Sequence, residues 1–160
     1  FNDWPEMSKT LLFFLFFIGG SAGSTTCGMK IIRSILITKY LVFEVRKLLH
    51  PKGVFPIKIG KKVIPDEVVK NTLGFYLFYI FIFVITAVVY SVTGLDLETS
   101  LTAAASAIGN IGPGLGSIGP SNNWAHLTDL AKWISSFTML MGRLEIFTVV
   151  VLFSRSFWRK

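Results

Sequence analysis

The sequence has 160 residues, of which 52% are hydrophobic and only 16% are charged, and its mean hydropathy is +0.61. An ordinary soluble domain has about a quarter of its residues charged, so the composition excludes that class and indicates a membrane protein. The net charge of +7 does not indicate a nucleic-acid-binding protein, because the basic residues lie between and after apolar runs and form no basic face laced with aromatics.

Few residues are of the kinds that carry catalysis or hold metals. The one cysteine, Cys27, cannot form an internal disulfide and stands in no metal-ligand spacing. His50 and His126 lack neighbouring ligands, and the sequence offers no nucleophile, acid–base pair or phosphate-binding loop. We therefore predict neither an enzyme nor a resident cofactor. The chain begins at Phe1 without a signal-peptide pattern, and we expect it to be a fragment of a longer protein.

The first 49 residues predict a helix that is interrupted. Residues 11–18 are continuously apolar but fall short of the ~20 residues that a helix needs to cross a bilayer. A second helical pattern, partly basic, runs from Met29 to about Leu49. Small and hydroxyl residues at 19–28 predict an unwound break, although the spacing of Gly19 and Gly23 is also typical of closely packed helices. The candidate break residues are Gly19, Gly20, Ser21, Ala22, Gly23, Ser24 and Thr25.

Residues 50–70 predict a polar linker between two membrane segments. Three prolines prevent a continuous helix, and alternating apolar residues around Gly60-Lys61 predict a short exposed hairpin. Lys and Arg cluster in this linker, whereas the next connection carries Asp96 and Glu98. Because short cytoplasmic loops are enriched in Lys and Arg, we expect the linker and the C-terminus on the cytoplasmic side.

Residues 71–160 predict two long helices with a re-entrant hairpin between them. The first helix is apolar over the length of a membrane span. The hairpin begins with a shorter pattern rich in Ala and Ser, for which Asp96 or Thr99 is a candidate N-cap. The predicted segments are an outer helix at 72–93, a pore helix at 97–108, a glycine-rich segment at 109–116 and an inner helix at 124–153.

The glycine-rich segment is the strongest candidate for a functional site. Non-helical backbone at bilayer depth leaves carbonyl and amide groups unpaired, so it survives only where protein or a watery path covers it. Gly112 and Gly114 permit torsions that other residues resist, and Pro113 removes a donor, which favours a wall of oxygen acceptors able to replace water around a cation. A plain extracellular loop is the alternative that the pattern leaves open. The candidate filter residues are Asn110, Ile111, Gly112, Pro113 and Gly114.

Three motifs in order resemble the Trk/Ktr/HKT superfamily of potassium transporters. Residues 110–115 and 142–148, with the closing 157–159, are similar to that family's fourth pore repeat. Residues 19–25 resemble the break in the inner helix of its third repeat, and His50-Pro51 with the hairpin after it resembles the Trk-type cytoplasmic linker. The likeness runs from about Trp4 to Arg159 and is to a TrkH-like membrane subunit.

The resemblance implies an all-α membrane protein built of K⁺-channel-like helix–pore loop–helix repeats, with a broken inner helix and a re-entrant pore helix. Residues 1–49 would be the inner helix of the third repeat, 50–70 the linker, and 71–160 the fourth repeat. Gly112 would be the filter glycine, and K⁺ would bind the backbone oxygens of Asn110, Ile111 and Gly112. The other filter strands are missing, so we do not expect this fragment alone to conduct.

The resemblance also implies a setting and partners. The whole protein would be a multi-pass potassium uptake protein of the bacterial inner (plasma) membrane, with a movable gate in the break at 19–28. Its partners would be the lipid bilayer, the remaining repeats of the same protein, a second copy in a homodimer and a cytosolic TrkA-like regulatory subunit with nucleotide-binding domains. A nucleic acid is not expected among them.

Arg143 stands near the middle of the apolar run 137–153, where a charge is costly and usually faces a cavity. Snorkelling to an interface is the alternative, but it requires a nearby helix end. The residues therefore favour a pathway-facing arginine. By resemblance, Arg143 would lie below the filter as an electrostatic barrier that cations must pass.

Two other functions compete with a potassium pathway. One is a secondary transporter with broken helices that binds another solute near the bilayer midplane. The other is a non-conducting membrane scaffold that recruits a soluble regulator through the basic hairpin. Substituting Arg143 would alter flux in a transport pathway and would leave a scaffold's partner binding unchanged.

Overall fold

A computed structural model describes residues 4–21, 28–50, 53, 56–60, 62–144 and 158. The described part is mostly helical, with one small hairpin. Its elements, in chain order, are helix α1 Glu6–Leu15, helix α2 Ile31–Leu49, strands β1 Lys58–Ile59 and β2 Lys62–Val63, helix α3 Asp66–Val92, helix α4 Leu97–Gly109, the 3₁₀ turns Gly116–Ile118 and Trp124–His126, and helix α5 Asp129–Arg143.

Helices α1 and α2 are separate, and the chain between them is non-helical wherever it is described. The backbone N–H of Gly19 donates to the Met29 carbonyl at 2.8 Å, and that of Ile31 donates to the Gly20 carbonyl at 3.1 Å. These two bonds bring together the chain on either side of the predicted break. The predicted break residues Ala22, Gly23, Ser24 and Thr25 lie outside the described residues.

The hairpin between α2 and α3 has the predicted strands but is not exposed on both faces. Strands β1 and β2 are antiparallel, and Gly60 turns the chain with φ +60°. Ile57 is only 8% exposed, because it packs with Leu36 of α2 and Val69 of α3. The ammonium group of Lys39 also donates to the Lys58 carbonyl at 2.6 Å. The prediction of an exposed hairpin was therefore wrong on one face, where period-two alternation creates an apolar side that the two helices cover.

Helix α3 is the element of membrane-crossing length. Its 27 residues reach about 40 Å, and among the described residues it is the one helix long and apolar enough to cross a membrane. It contains nearly all of the predicted outer helix but begins earlier, at Asp66. Pro65 precedes the first turn, and Asp66 and Glu67 complement the positive end of the helix dipole there.

Helix α4 is short and is enclosed by its neighbours. The Asp96 carboxylate caps it by accepting from the Thr99 backbone N–H at 3.0 Å, as predicted for one of the two candidate caps. Small side chains let α3 and α5 approach closely, so that this helix is buried over most of its length. Its buried alanines are Ala103, Ala104, Ala105 and Ala107.

Helix α5 begins later than the predicted start at residue 124. Trp124–His126 is a separate 3₁₀ turn, capped by the Asn123 side chain, and Leu127 and Thr128 are extended. Thr128 then caps α5, because its hydroxyl accepts from the Ala131 N–H at 3.4 Å. The 15 described residues span about 22 Å, less than a bilayer core of about 30 Å. A full crossing to residue 153 stays a prediction, since residues 145–153 lie outside the described part.

Buried hydroxyl contacts join α3 to α5. The Tyr90 hydroxyl lies 2.7 Å from the Ser135 hydroxyl, and Thr86 and Thr138 approach at 3.3 Å. All four residues are buried. These contacts satisfy polar groups between the two helices and fix their relative height.

Gly142 of α5 packs directly on the end of α4. A Cβ added there would overlap the Ile108 carbonyl oxygen and crowd the Asn110 side-chain amide. Because the nearest obstacle is backbone, a larger residue must push the two helices apart.

We expect Asp96→Ala to lower the free energy of unfolding by about 0.5–2 kcal/mol, the usual cost of losing an N-cap. Hydrogen bonds from the Thr99 hydroxyl, and then from its backbone N–H, lower the pKa of Asp96. The cap therefore contributes fully above the ordinary carboxyl pKa, and its contribution is lost as the pH falls through the lowered pKa. Asp96→Asn should keep the acceptor and remove this acid dependence. Unfolding in detergent micelles, followed by circular dichroism, measures both effects.

The matched control for Asp96 is Asp129→Ala. Asp129 is an exposed carboxylate in the first turn of α5, and it pairs with Lys132, which is three residues further along the same helix. Such a pair contributes little, so the control should change stability by less than about 0.5 kcal/mol. Equal losses at Asp96 and Asp129 would contradict the capping role.

We expect Gly142→Ala to lower the free energy of unfolding by about 1–3 kcal/mol through overpacking against α4. Ser136→Ala, on an exposed position of the same helix, should change it by less than about 0.5 kcal/mol. Chemical denaturation of both variants in micelles provides the comparison. A neutral Gly142→Ala would mean that α4 and α5 do not meet at this point.

Candidate ion filter

The chain leaves α4 through a Schellman turn. Asn110 adopts the left-handed conformation, with φ 52° and ψ 42°, which asparagine tolerates better than most residues. Its N–H donates to the Ala107 carbonyl at 3.2 Å, and the Ile111 N–H donates to the Ser106 carbonyl at 3.0 Å. Gly109 is the last residue of α4, so the non-helical segment begins at Asn110 and not at 109 as predicted.

The glycines of this segment serve different purposes. Gly112 has φ +104°, a torsion that residues with a Cβ rarely adopt, and an added Cβ would meet nothing within 4 Å. Gly114 has no positive φ; its missing side chain instead makes room for Ile118. Gly116 combines both needs, with φ +67° and no room for a Cβ beside the Thr99 hydroxyl. The predicted torsional role holds for Gly112 and was wrong for Gly114.

Hydroxyls of α4 hold the segment from behind. The Leu115 N–H donates to the Thr102 hydroxyl at 3.0 Å, and the Ser117 N–H donates to the Thr99 hydroxyl at 3.1 Å. The Gly114 N–H is satisfied by the Ile118 carbonyl at 2.9 Å. No role was predicted for Thr102, and Thr99 was predicted only as a candidate cap. Two threonines three residues apart in an Ala-rich helix lie on the same face, and this spacing was the signal that could have predicted their shared role.

The front of the segment presents oxygen acceptors. Among the described residues, the carbonyls of Asn110, Ile111 and Pro113 accept no hydrogen bond. Residues 110–112 are exposed, with Ile111 at 40%, whereas Leu115 is buried. The Gly112 carbonyl accepts from the indole N–H of Trp124 at 3.1 Å. The amides of Ile111, Gly114, Leu115 and Ser117 are thus satisfied, whereas the carbonyls of Asn110, Ile111 and Pro113 remain available as acceptors.

The side chain of Asn110 is engaged with α5. Its amide nitrogen donates to the Met139 carbonyl at 2.9 Å, which ties the side chain to α5 and leaves the backbone oxygen and the side-chain Oδ1 as acceptors. No cluster of three or more His, Cys, Asp or Glu occurs in the part of the chain that the structure describes. Any cation bound there would therefore meet mainly carbonyl oxygens. Helix α4 ends beside this segment, so the partial negative charge at its C-terminal end would also favour a cation there.

Arg143 is the last residue of α5, and its side chain is exposed. It follows Gly142, which abuts the end of α4, and it lies one turn beyond Met139, which binds Asn110. The structure thus brings the backbone of Arg143 to the base of the filter segment. Arg143 was predicted near the middle of the apolar run 137–153, of which the structure describes only residues 137–144, so this position stays a prediction.

The predicted break also reaches the end of α4. Gly28, with φ +78°, has no room for a free side chain: an added Cβ would lie 3.3 Å from the Gly109 Cα and 3.6 Å from the Tyr79 hydroxyl. On the other side, the Phe16 carbonyl lies 3.6 Å from a Cβ placed on Gly109. Phe16 and Gly28 thus bring the two flanks of the break to the end of α4, and Gly19 and Gly20 are hydrogen-bonded to the chain after the break. Ser21 is the last described residue on the first flank of the break.

Comparison with known proteins agrees with this geometry. The sequence model of the TrkH family, described as a cation transport protein, matches residues 1–160. The Trk system potassium uptake protein TrkH of Halomonas elongata is 45% identical over 160 residues, covering 100% of this chain and 33% of the relative. Its counterpart in Escherichia coli K12 is 38% identical over 157 residues, covering 98% of this chain and 32% of the relative.

A solved structure matches as well. The crystal structure of the potassium transporter TrkH from Vibrio parahaemolyticus superposes with a TM-score of 0.88 at 41% identity, covering 98% of this chain and 33% of that chain. The chain spans about a third of the length of the relatives it matches. The match supports an all-α membrane fold. The family match extends over every residue, and the chain therefore belongs to the TrkH family of cation transport proteins.

Proposed function

We propose that this chain supplies one filter strand and part of the gate of a four-repeat protein that takes up potassium. Its relatives are named potassium uptake proteins, and the chain corresponds to a third of their length. We assign residues 1–49 to the third repeat, 50–70 to the linker and 71–160 to the fourth repeat. The first two repeats and the rest of the third would complete the ring around the pathway.

The exposed, acceptor-rich backbone at 110–112 carries this proposal. K⁺ must exchange its water for other oxygens as it enters a narrow path, and backbone carbonyls can replace that hydration shell. We assign the K⁺ contacts to the oxygens of Asn110, Ile111 and Gly112, with Pro113 and Gly114 shaping the strand behind them. Thr99 and Thr102 support the assignment, because they satisfy the amides that would otherwise compete for the same space.

We infer that the gate lies directly below this strand. The flanks of the break at Gly19 and Gly28 lie close to the end of α4, and Arg143 follows the glycine that packs there. A guanidinium charge at this height would oppose a passing cation until the break moves. The candidate gate comprises Gly19, Gly20, Ser21, Ala22, Gly23, Ser24, Thr25 and Arg143.

We place the protein in the bacterial inner membrane, as a homodimer that a TrkA-like nucleotide-binding subunit regulates on the cytoplasmic face. The basic hairpin supports a docking role, because Lys39 and the Leu36–Ile57–Val69 cluster hold it against the helices. A regulator bound there would contact both repeats through one rigid element. This anchoring of the hairpin favours a regulated transporter over the non-conducting membrane scaffold.

We expect Gly112→Ala to reduce the selectivity for K⁺ over Na⁺ by about tenfold. The new Cβ finds open space, so the effect arises from φ +104°, whose strain of about 1–3 kcal/mol must be relieved by moving the filter carbonyls. The measurement is ion flux into proteoliposomes that carry a full-length chimaera, in which this chain replaces the matching third of the Halomonas relative.

Gly94→Ala is the matched control for Gly112→Ala. Gly94 has φ +93° and equally open space around an added Cβ, but it lies in the turn after α3. The Gly94→Ala variant should lose a similar amount of stability and keep its selectivity for K⁺ over Na⁺. If Gly112→Ala also keeps wild-type selectivity, the filter assignment is overturned.

We expect Arg143→Ala to raise the K⁺ flux of the same chimaera about two- to tenfold, because a charge that opposes the cation is removed. Arg143→Lys should stay near the unsubstituted flux, since it keeps the charge. Lys132→Ala removes an exposed positive charge elsewhere on α5 and should leave the flux unchanged. Unaltered flux in Arg143→Ala would remove this residue from the pathway.

A further inference from the structure

The 3₁₀ turn Trp124–His126 contacts the candidate filter segment at Gly112 and the residue just after the segment, Ser117. The indole N–H of Trp124 donates to the Gly112 carbonyl at 3.1 Å. The Nε2 atom of His126 lies 3.2 Å from the Ser117 hydroxyl. We call this turn the outer clamp. It follows the filter by only a few residues and is not part of any predicted filter or gate motif.

The outer clamp is itself firmly seated. The Asn123 side chain caps it by accepting from the Ala125 N–H at 3.0 Å. The Trp124 ring packs on the buried cluster around Tyr90, Ile118 and Leu127. The indole donor is therefore presented from a fixed position, which a freely rotating surface side chain would not provide.

The residue whose carbonyl receives this bond is a glycine at φ +104°, a torsion that residues with a Cβ rarely adopt. Pro113 narrows the ψ range of Gly112, and within that range no side chain of Gly112 fixes the carbonyl direction. A carbonyl oxygen has two lone pairs, and tryptophan offers one donor and no acceptor. The bond can thus fix the direction of the Gly112 carbonyl and still leave a lone pair for a cation.

We propose that Trp124 is a positioning residue for ion selectivity, and that it acts by fixing the orientation of the Gly112 carbonyl. This inference rests on the proposed filter function. Trp124 binds the Gly112 carbonyl through its N–H, and K⁺ would not touch the ring. The bulk of the side chain stabilises the fold, while the N–H sets the spacing of the oxygens.

The test separates the N–H from the ring. Trp124 is replaced by Phe and, in a second variant, by benzothienylalanine, which has the size and shape of tryptophan without an N–H donor. Both are made in the full-length chimaera and assayed for K⁺ and Na⁺ flux. Losing one neutral hydrogen bond should lower the K⁺/Na⁺ selectivity about two- to tenfold and raise the half-saturating K⁺ concentration similarly. The maximal K⁺ flux should change by a smaller factor than the selectivity or the half-saturating concentration.

Trp133→Phe is the matched control, since Trp133 is a largely exposed residue of α5. It should leave selectivity and half-saturation unchanged. If the benzothienylalanine variant keeps wild-type selectivity while Gly112→Ala loses it, the inference about Trp124 is overturned and the filter assignment stands. If neither variant alters selectivity, the proposed function fails as well.

Discussion

The described structure depends on how the non-helical backbone after α4 divides its hydrogen-bonding groups. Amides of Ile111, Leu115 and Ser117 are satisfied by a helix carbonyl or by threonine hydroxyls of α4. Within the described ranges, the carbonyls of Asn110, Ile111 and Pro113 accept no hydrogen bond, and that of Gly112 accepts from Trp124. An unsatisfied amide in an apolar setting would cost several kcal/mol, so this division is a condition of the fold. The same division leaves the carbonyl oxygens on which the proposed function depends.

The second condition of the fold is the close approach of the backbones of α4, α5 and the end of the break. Gly142 of α5, Gly28 at the end of the break and Gly109 of α4 meet at one junction, where each side chain has been reduced to hydrogen. The alanines of α4 extend that close packing along the helix. Filter segment, break and inner helix therefore share one packed junction, and a displacement of any of them changes the contacts of the other two.

Much of this arrangement could be predicted, because long apolar runs, caps and glycine-rich turns leave local signals. The end of α3, the length of α4 and the Asp96 cap followed from such signals, whereas α3 begins six residues before its predicted start. The start of α5 could not be predicted in this way. Asn123 caps the 3₁₀ turn and Thr128 caps α5, and the apolar pattern does not show the boundary between these two elements. The contacts of Thr102 and Trp124 with the filter could not be predicted either, because they join residues brought together only by tertiary packing. The alternation of apolar and polar residues predicted the two strands of the hairpin. Which face of the hairpin is buried depends on its packing against α2 and α3, which the alternation does not show.

The seating of the hairpin gives the linker a mechanical property. Ile57 packs with Leu36 of α2 and Val69 of α3, and Lys39 binds the first strand to α2, so the hairpin is anchored to both helices. A displacement of the hairpin would therefore act on α2, which leads back to the break, and on α3, which flanks α4.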